Sequence, residues 1–141
     1  MADADLLAGE LRALAGKLKR RLREQADVGD LTPSQRSVLL RLEKDGPATA
    51  STLARMESMR PQSMGPIIAA LESAGLVRGS PHPTDGRQTI LSMTDACRTW
   101  LAEGRAARQD WLSRTITARL SPAEQQQLAS AITLLRRLVD D

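Results

Sequence analysis

The chain has 141 residues, of which 41% are hydrophobic and 26% charged, and its formal net charge is +3. This length suits one domain with a hydrophobic core, and the composition is typical of a soluble globular protein rather than a disordered chain. No apolar run is long enough to cross a membrane, the N-terminus lacks the apolar segment of a secretory signal, and a single cysteine excludes a disulfide framework, so we expect a cytoplasmic protein.

The aromatic content restricts the fold class. Trp100 and Trp111 are the only aromatic residues, because phenylalanine and tyrosine are absent. The core must therefore consist of Leu, Ile, Val, Met and Ala. These residues suit helix packing, whereas a β-sandwich carries more aromatic and β-branched residues. We expect a mainly α-helical protein.

The first predicted element is an amphipathic helix over residues 5–26. Leucines at spacings of three and four residues form one apolar stripe, namely Leu7, Leu11, Leu14, Leu18 and Leu22. Residues 10–23 carry six basic side chains and one acidic side chain. The basic face is either solvated or contributes to a field that attracts DNA. The sequence DVGD at 27–30 predicts a break after this helix.

A second helix has clear start and stop signals. Thr32 is the predicted N-cap, Pro33 occupies the first helical position, and Gln35 completes a capping box. Gly46, followed by Pro47, ends the helix. This segment is therefore predicted to be helical over residues 33–45.

Two short helices follow and predict a helix-turn-helix. The first is capped by Thr49, and the second begins at Pro61 and ends before Gly75. Pro66 lies inside the second helix, where it predicts a kink, a tightened first turn or the true start of the helix. The residues expected to face inward from the second helix of the chain onward are Val38, Leu39, Leu42, Leu53, Ala54, Met64, Ile67, Ile68 and Leu71.

Beyond Gly75 the apolar period changes from helical to alternating. LVRGS predicts one short strand, and Thr89, Leu91 and Met93 mark one face of a second strand. The two strands form a hairpin with a long tip, directly after the helix-turn-helix. Residues 32–93 are thus predicted to be a winged helix-turn-helix lobe that binds DNA, with the wing at 76–93.

Two helices complete the chain. Thr94 is the predicted cap of a helix that runs to about Leu120, and Ser121, Pro122 and Glu124 begin the last helix with another capping box. The apolar face of the last helix is Leu128, Ile132, Leu135 and Leu138.

The length of the helix after Thr94 predicts a dimer. At about 40 Å it is longer than a domain of this size covers by itself, and the terminal helices both carry leucine stripes. We expect one domain over 1–141, in which residues 5–26 and 94–141 are dimerisation helices that share a core with a second copy. An intramolecular bundle that folds back is the alternative.

The second helix of a helix-turn-helix presents its first turn to the major groove. Glutamine pairs with adenine, serine bonds to several base edges, and methionine contacts a thymine methyl group. The candidate residues are Arg60, Pro61, Gln62, Ser63 and Met64. The alternative is an ordinary exposed first turn.

The hairpin tip supplies a candidate minor-groove contact. The negative potential of that groove attracts the guanidinium of Arg87, which Asp85 can hold by a charge-assisted pair. Gly86 permits the turn between them, and an Asp-Gly turn with an unrelated arginine is the alternative. The remaining DNA-binding candidates are Arg78, His82 and Gln88. The histidine is expected to contact a phosphate or to have no role.

The segment MRPQSMGPIIAALESAGLVRGSPHPTDGRQTILSMTDA resembles the recognition helix and wing of the MarR family of bacterial transcription regulators. The resemblance covers nearly the whole chain. It implies a dimeric winged helix-turn-helix protein, usually a repressor, on pseudo-palindromic operators. It also implies that Arg87 enters the minor groove with Asp85 bracing it, and that residues 60–64 read the major groove. Many family members release DNA when a small aromatic or anionic molecule binds between the DNA-binding lobe and the dimer helices.

Two residues are candidates for a response to an effector. One branch of the family senses organic peroxides through a cysteine in the first helix, and this chain has no cysteine there. Cys97 lies in the first turn of a helix, which can lower a thiol pKa, so a redox-responsive regulator stands beside a buried structural cysteine as an alternative. Trp100 either lines an effector pocket or fills the core. Trp111 lies further along, where the dimer helices would meet, or likewise fills the core.

An enzyme is not expected. The sequence has no glycine-rich phosphate loop, no histidine cluster for a metal, and no set of nucleophile, base and acid. We therefore expect no cofactor and no metal site, and double-stranded DNA and a second copy of the chain as partners. The alternative of another class is a winged-helix module that binds a protein.

Overall fold

The computed structural model describes residues 2–26 and 31–140. Within these ranges the fold has six helices and three strands, which confirms a mainly α-helical chain with a small β-hairpin wing. In chain order they are α1 Ala4–Glu24, α2 Pro33–Asp45, β1 Ala48–Thr49, α3 Ala50–Met56, α4 Pro61–Ser73, β2 Val77–Pro81, β3 Thr89–Met93, α5 Asp95–Arg119 and α6 Pro122–Val139. The break predicted at 27–30 lies outside the described residues.

The chain divides into two compact units. One comprises Val28–Glu103, here called the lobe, and the other comprises Met1–Asp27 together with Gly104–Asp141. The lobe in this sense includes the first turns of α5 as well as the predicted DNA-binding segment 32–93. The reason is that Cys97 is part of the lobe core, and Trp100 and Leu101 pack against that core.

Local capping explains where several helices begin. At the start of α2, the backbone N–H of Gln35 donates to Thr32 Oγ1 at 3.2 Å, and the N–H of Thr32 donates to Gln35 Oε1 at 3.1 Å. Ser121 and Glu124 repeat this capping box at α6, at 3.2 and 2.8 Å. The hydrogen bond that the Ser121 backbone N–H donates to the Glu124 carboxylate lowers the pKa of Glu124, and the Ser121 side chain acts in the same direction. Both predicted capping boxes are confirmed.

The lobe core is built from apolar side chains of α2, α3, α4, the sheet and α5. Val38, Leu39 and Leu42 form the buried face of α2, and Leu53 and Ala54 form that of α3. The other buried members are Met64, Ile68, Leu71, Val77, Leu91, Met93 and Cys97. The inward faces predicted for the three helices are therefore confirmed, with Ile67 partly buried against this cluster.

The sheet has the order β1–β3–β2 and is antiparallel throughout. The wing strands pair from Val77 opposite Met93 to Pro81 opposite Thr89. The two-residue strand β1 pairs Ala48 with Leu91, and the sequence did not predict it. Buried residues on β2 and β3 fix the base of the wing to the lobe core.

The terminal helices expose most of their apolar stripes, while Leu11, Leu22 and Leu128 are half-buried. In the described chain neither α1 nor α6 has a fully buried residue. The exposed large apolar side chains of these helices are Leu6, Leu7, Leu14, Leu18, Ile132, Leu134, Leu135, Leu138 and Val139. Over the described residues, no helix combines the length and apolar character needed to span a bilayer.

Candidate nucleic-acid interface

The first turn of α4 is an exposed helix start without a side-chain cap. Arg60 occupies the N-cap position and makes no capping hydrogen bond through its side chain. Pro61 has no N–H, while Ser63 N donates to Arg60 O at 3.0 Å. Arg60, Pro61, Gln62 and Ser63 are all exposed. Four of the five residues predicted to read the major groove thus lie on the surface of the lobe.

Met64 is the exception, and its prediction as a base contact is wrong. Its side chain is 0% exposed and belongs to the lobe core, together with Ile68 and Leu71 on the same helix. Residues at spacings of four and three lie on one face of a helix, so the face that holds Leu71 in the core also holds Met64 there. A methionine in this position cannot reach a thymine methyl group without leaving the core.

Pro66 does not mark the start of α4, because the helix runs from Pro61 through Pro66 to Ser73. A proline at this position provides no N–H for the carbonyl of Gln62, four residues earlier. That carbonyl therefore lacks its usual helical donor on the exposed first turn.

An ion-pair network holds the turn between α3 and α4. The Glu57 carboxylate accepts hydrogen bonds from Ser37 Oγ at 2.5 Å and from Arg41 Nη2 at 3.3 Å. Arg41 also pairs with Asp45 at 3.5 Å. Ser58, next in the turn, has a positive φ of 54°. Because its partners lie 16 and 20 residues away, Glu57 gave no local signal in the sequence.

The wing tip holds Arg87 against Asp85. Asp85 Oδ1 accepts hydrogen bonds from Arg87 N at 3.1 Å and from Arg87 Nε at 3.4 Å, and Asp85 Oδ2 accepts from Gln88 Nε2 at 3.3 Å. The Arg87 side chain is nevertheless 94% exposed. The structure therefore brings together the carboxylate and the guanidinium as the sequence predicts, with the guanidinium on the surface. Arg78, Gly86 and Gln88 are exposed on the same wing.

His82 is half-buried rather than fully exposed. Its Nδ1 accepts hydrogen bonds from the backbone N–H groups of Thr84 and Asp85, both at 3.1 Å. The backbone N–H of His82 donates to the carbonyl of Gln88 at 3.0 Å and closes the base of the tip. The imidazole thus belongs to the internal hydrogen bonding of the wing.

Thr94 connects the end of the helix-turn-helix with the wing and α5. Its hydroxyl donates to the carbonyl of Gly75 at 2.7 Å and accepts from Cys97 N at 3.1 Å. Its N–H donates to the carbonyl of Leu76 at 3.1 Å. The predicted cap is confirmed, and Thr94 also holds the backbone of Gly75 and Leu76, which connect α4 with β2.

Cys97 is not an activated thiol. Its side chain is 0% exposed. Burial raises the pKa of the thiol, and the charge of Glu43 raises it further, while Arg98 acts in the opposite direction. A raised pKa in a buried site is the opposite of what a reactive cysteine requires. The structure contradicts the redox-responsive alternative through Cys97 and favours the structural one.

The two tryptophans have different surroundings. Trp100 is half-buried against the lobe core, whereas Trp111 is half-buried in the other unit. A surface pocket of about 340 Å³ within the lobe is lined by neither of them, but by Thr49, Ala50, Ser51, Ile68, Glu72, Gln88, Thr89 and Leu91. Among residues 2–26 and 31–140, no cluster of three His, Cys, Asp or Glu side chains is placed to hold a metal ion.

Comparisons with known proteins agree with this geometry. The MarR family model matches residues 31–89. The HTH-type transcriptional regulator MT0903.1 of Mycobacterium tuberculosis is 37% identical over 142 residues, covering 100% of this chain and 99% of the relative. The HTH-type transcriptional repressor MdtR of Bacillus subtilis is 27% identical over 121 residues, covering 83% of this chain and 78% of the relative.

A solved structure extends the similarity to the full fold. The crystal structure of a Pseudomonas aeruginosa protein assigned as a transcriptional regulator has a TM-score of 0.80 and 34% identity, covering 100% of this chain and 99% of that chain. The family match spans the helix-turn-helix and most of the wing, and the similarity to MT0903.1 spans the whole chain. The chain belongs to the MarR family of winged helix-turn-helix transcriptional regulators.

Proposed function

We propose that the protein is a dimeric, sequence-specific repressor that binds pseudo-palindromic operators and releases them when a small molecule binds. The observation that carries this proposal is the wing tip, where Arg87 is 94% exposed while Asp85 holds it. A long cationic side chain loses conformational freedom when it binds. An arginine already held on the protein surface loses less of that freedom when it enters a groove.

In this proposal the first turn of α4 and the wing tip contact different grooves of the DNA. Gln62 and Ser63, flanked by Arg60 and Pro61, read base edges in the major groove from the start of α4. Arg87 enters the adjacent minor groove. The supporting wing residues, which contact the sugar-phosphate backbone or shape the tip, are Arg78, Asp85, Gly86 and Gln88. Met64 contributes through the core that holds α4 in place.

The proposed dimer rests on the apolar surfaces of α1 and α6. On α6 Leu138 is 70% exposed, and on α1 Leu7 is 53% and Leu14 is 63% exposed. Burying one such side chain contributes about 1.5–3 kcal/mol, so covering both stripes with a second copy gives a large favourable term. A two-fold dimer places two lobes on two half-sites, which is why the proposed operator is pseudo-palindromic.

Repression and release are the parts of the proposal that depend on family resemblance. The relative MdtR is named a repressor, and many regulators of this family respond to small aromatic or anionic molecules. Trp100 is the proposed effector-contacting residue, because an indole half-buried beside the lobe core suits an aromatic ligand. Since such a regulator acts on chromosomal DNA, the proposed location is the cytoplasm.

The test is DNA binding by fluorescence anisotropy, with the promoter DNA next to the gene and with a scrambled duplex. We expect a dimer by mass measurement, preference for the promoter duplex, and a steep loss of affinity as salt rises, because phosphate contacts release counterions. Arg87→Ala should weaken binding by about 1–3 kcal/mol, which is roughly 5- to 150-fold.

Arg114→Ala is the matched control. Arg114 is also an exposed arginine paired with a carboxylate, that of Asp110 at 2.8 Å, but it lies on α5 outside the lobe. We expect this variant to bind like the parent. If Arg87→Ala binds as tightly as the parent, the wing does not enter a groove. If the parent shows no salt-dependent DNA binding, the proposal fails and the winged-helix module that binds a protein is the alternative to test.

A further inference from the structure

The wing tip contains a second hydrogen-bonded assembly besides the pair of Asp85 and Arg87. His82 Nδ1 lies 3.1 Å from Thr84 N, 3.1 Å from Asp85 N and 3.2 Å from Thr84 Oγ1. Three donors thus converge on one ring nitrogen. Two of them are backbone N–H groups of the turn that carries the Asp85 carboxylate.

This arrangement specifies the tautomer of the imidazole. A ring nitrogen accepts a hydrogen bond only through its lone pair, so Nδ1 must be unprotonated and the ring proton must reside on Nε2. Backbone N–H groups donate without exception, so at least two of the three contacts require Nδ1 as an acceptor. The Thr84 hydroxyl then donates to Nδ1 as well.

The consequence reaches Arg87 through the backbone. His82 fixes the N–H of Asp85 from one side, and the Gln88 N–H donates to the Asp85 carbonyl at 3.0 Å from the other. Asp85 is therefore held by its backbone before its carboxylate receives Arg87 N and Arg87 Nε. Without the His82 acceptor, the Asp85 N–H must turn to water, and the backbone that carries the carboxylate loses one of the bonds that hold it.

We propose that His82 is a positioning residue for DNA binding, which orders the wing tip through Nδ1 so that Asp85 presents Arg87 in its groove-binding conformation. The inference deepens the proposed function and rests on it. It replaces the expectation that His82 contacts a phosphate. Loss of the acceptor leaves a tip that must be ordered during binding, and that ordering weakens the complex.

Three variants separate positioning from phosphate contact. His82→Asn retains a short side-chain acceptor that bonds to backbone N–H groups two residues on, as asparagine does in Asx turns. His82→Ala removes the acceptor. His82→Lys removes the acceptor but supplies a cation for a phosphate. By anisotropy, we expect His82→Asn to bind within about threefold of the parent, and His82→Ala and His82→Lys to bind about tenfold more weakly, which corresponds to 1.4 kcal/mol.

The opposite ranking overturns the inference. If His82→Lys restores affinity and His82→Asn does not, the histidine acts as a phosphate contact. If His82→Ala binds promoter DNA as tightly as the parent, the histidine has no positioning role. Thermal unfolding of each variant verifies that the lobe is folded, since the buried core lies in the helices, in the strand residues Val77, Leu91 and Met93, and in the first turn of α5 rather than in the tip.

The imidazole itself provides an independent measurement. The chain contains a single histidine, so its ring nitrogen signals in an NMR spectrum need no assignment. We expect the tautomer with the proton on Nε2, and slowed amide hydrogen exchange at Thr84 and Asp85 that is lost in His82→Ala. A proton on Nδ1 contradicts the inference. A parent that fails to bind DNA overturns the proposed function, whereas a binding parent with an unaffected His82→Ala overturns the inference alone.

Discussion

Gly79 is the residue in the wing that tolerates a side chain least. A Cβ built on it lies 2.6 Å from Cγ2 of Thr89 and 3.8 Å from Cδ2 of Leu91. Ordinary contacts of a Cβ begin near 3.4 Å, so the first of these distances is short by about 0.8 Å. Threonine is β-branched and stiff at χ1, so its methyl group cannot move away freely. The two strands must separate, or Thr89 must leave its rotamer.

We therefore expect Gly79→Ala to destabilise the lobe by about 0.5–1.5 kcal/mol, the cost of holding the exposed Thr89 side chain away from its preferred rotamer. For a chain of 141 residues each kcal/mol lowers the melting temperature by about 3–4 °C. Circular dichroism at fixed protein concentration measures the shift, because melting of a dimer depends on concentration. The affinity for promoter DNA should fall as well, since β2 and β3 support the tip that carries Arg87.

A second variant, Thr89→Ser, tests whether the contact with Thr89 Cγ2 causes the loss of stability. Thr89→Ser removes Cγ2 and retains the hydroxyl, so Gly79→Ala combined with Thr89→Ser should recover most of the lost stability, as a double-mutant cycle measures. Gly9→Ala is the control, because a Cβ at that helical position of α1 meets nothing within 4 Å. It should stabilise the protein by up to about 1 kcal/mol. A Gly79→Ala protein that melts with the parent, or a double variant that recovers nothing, refutes the steric explanation.

Three further predictions concern the lobe interior. Met64→Ala should lower the free energy of unfolding by about 2–5 kcal/mol, and Met64→Leu by less than about 1.5 kcal/mol. Selection from randomised operators with Met64→Leu should return the parent's base preference. An altered preference contradicts the buried position of Met64. Cys97 should resist alkylation until the protein unfolds. The pKa of this thiol is raised in the folded protein. The stability that Cys97 contributes is therefore present below the ordinary thiol pKa and is lost as the pH rises through the folded pKa. Thermal unfolding at alkaline pH, compared with that of Cys97→Ala, measures this loss. Thr94→Val should lower stability by about 1–3 kcal/mol through loss of the cap and of the bond to Gly75, with Thr94→Ser close to the parent in urea unfolding.

The capping residues show which part of the fold the sequence predicts. The capping box of Thr32 and Gln35, and that of Ser121 and Glu124, join residues three positions apart. Such bonds form within one turn whatever lies elsewhere in the chain, so residue type and spacing are sufficient to predict them. The pair of Asp85 and Arg87 was predictable for the same reason, because it spans two residues.

Features that depend on distant partners were not predictable in this way. Strand β1 has two residues, and its pairing with Leu91 and Ile90 crosses more than forty positions of sequence. Glu57, at the end of α3, bonds to Ser37 and Arg41 on α2. His82 is an intermediate case, because its partners are close in sequence. Its role requires the backbone of the turn to be known, since a histidine side chain has no preferred local acceptor pattern comparable to that of aspartate.

Apolar periodicity alone does not separate a core from an interface. The stripes of α1 and α6 have the same helical spacing as that of α2, yet α2 buries Val38, Leu39 and Leu42, while α1 and α6 bury nothing completely in the described chain. The difference follows from the neighbours that each helix has within one chain. Helix α2 packs against α4 and the sheet, whereas Leu134, Leu135 and Leu138 of α6 are exposed. If the protein is the proposed dimer on a two-fold operator, these exposed stripes are the surface that the second copy covers, so stability and operator affinity should both depend on protein concentration.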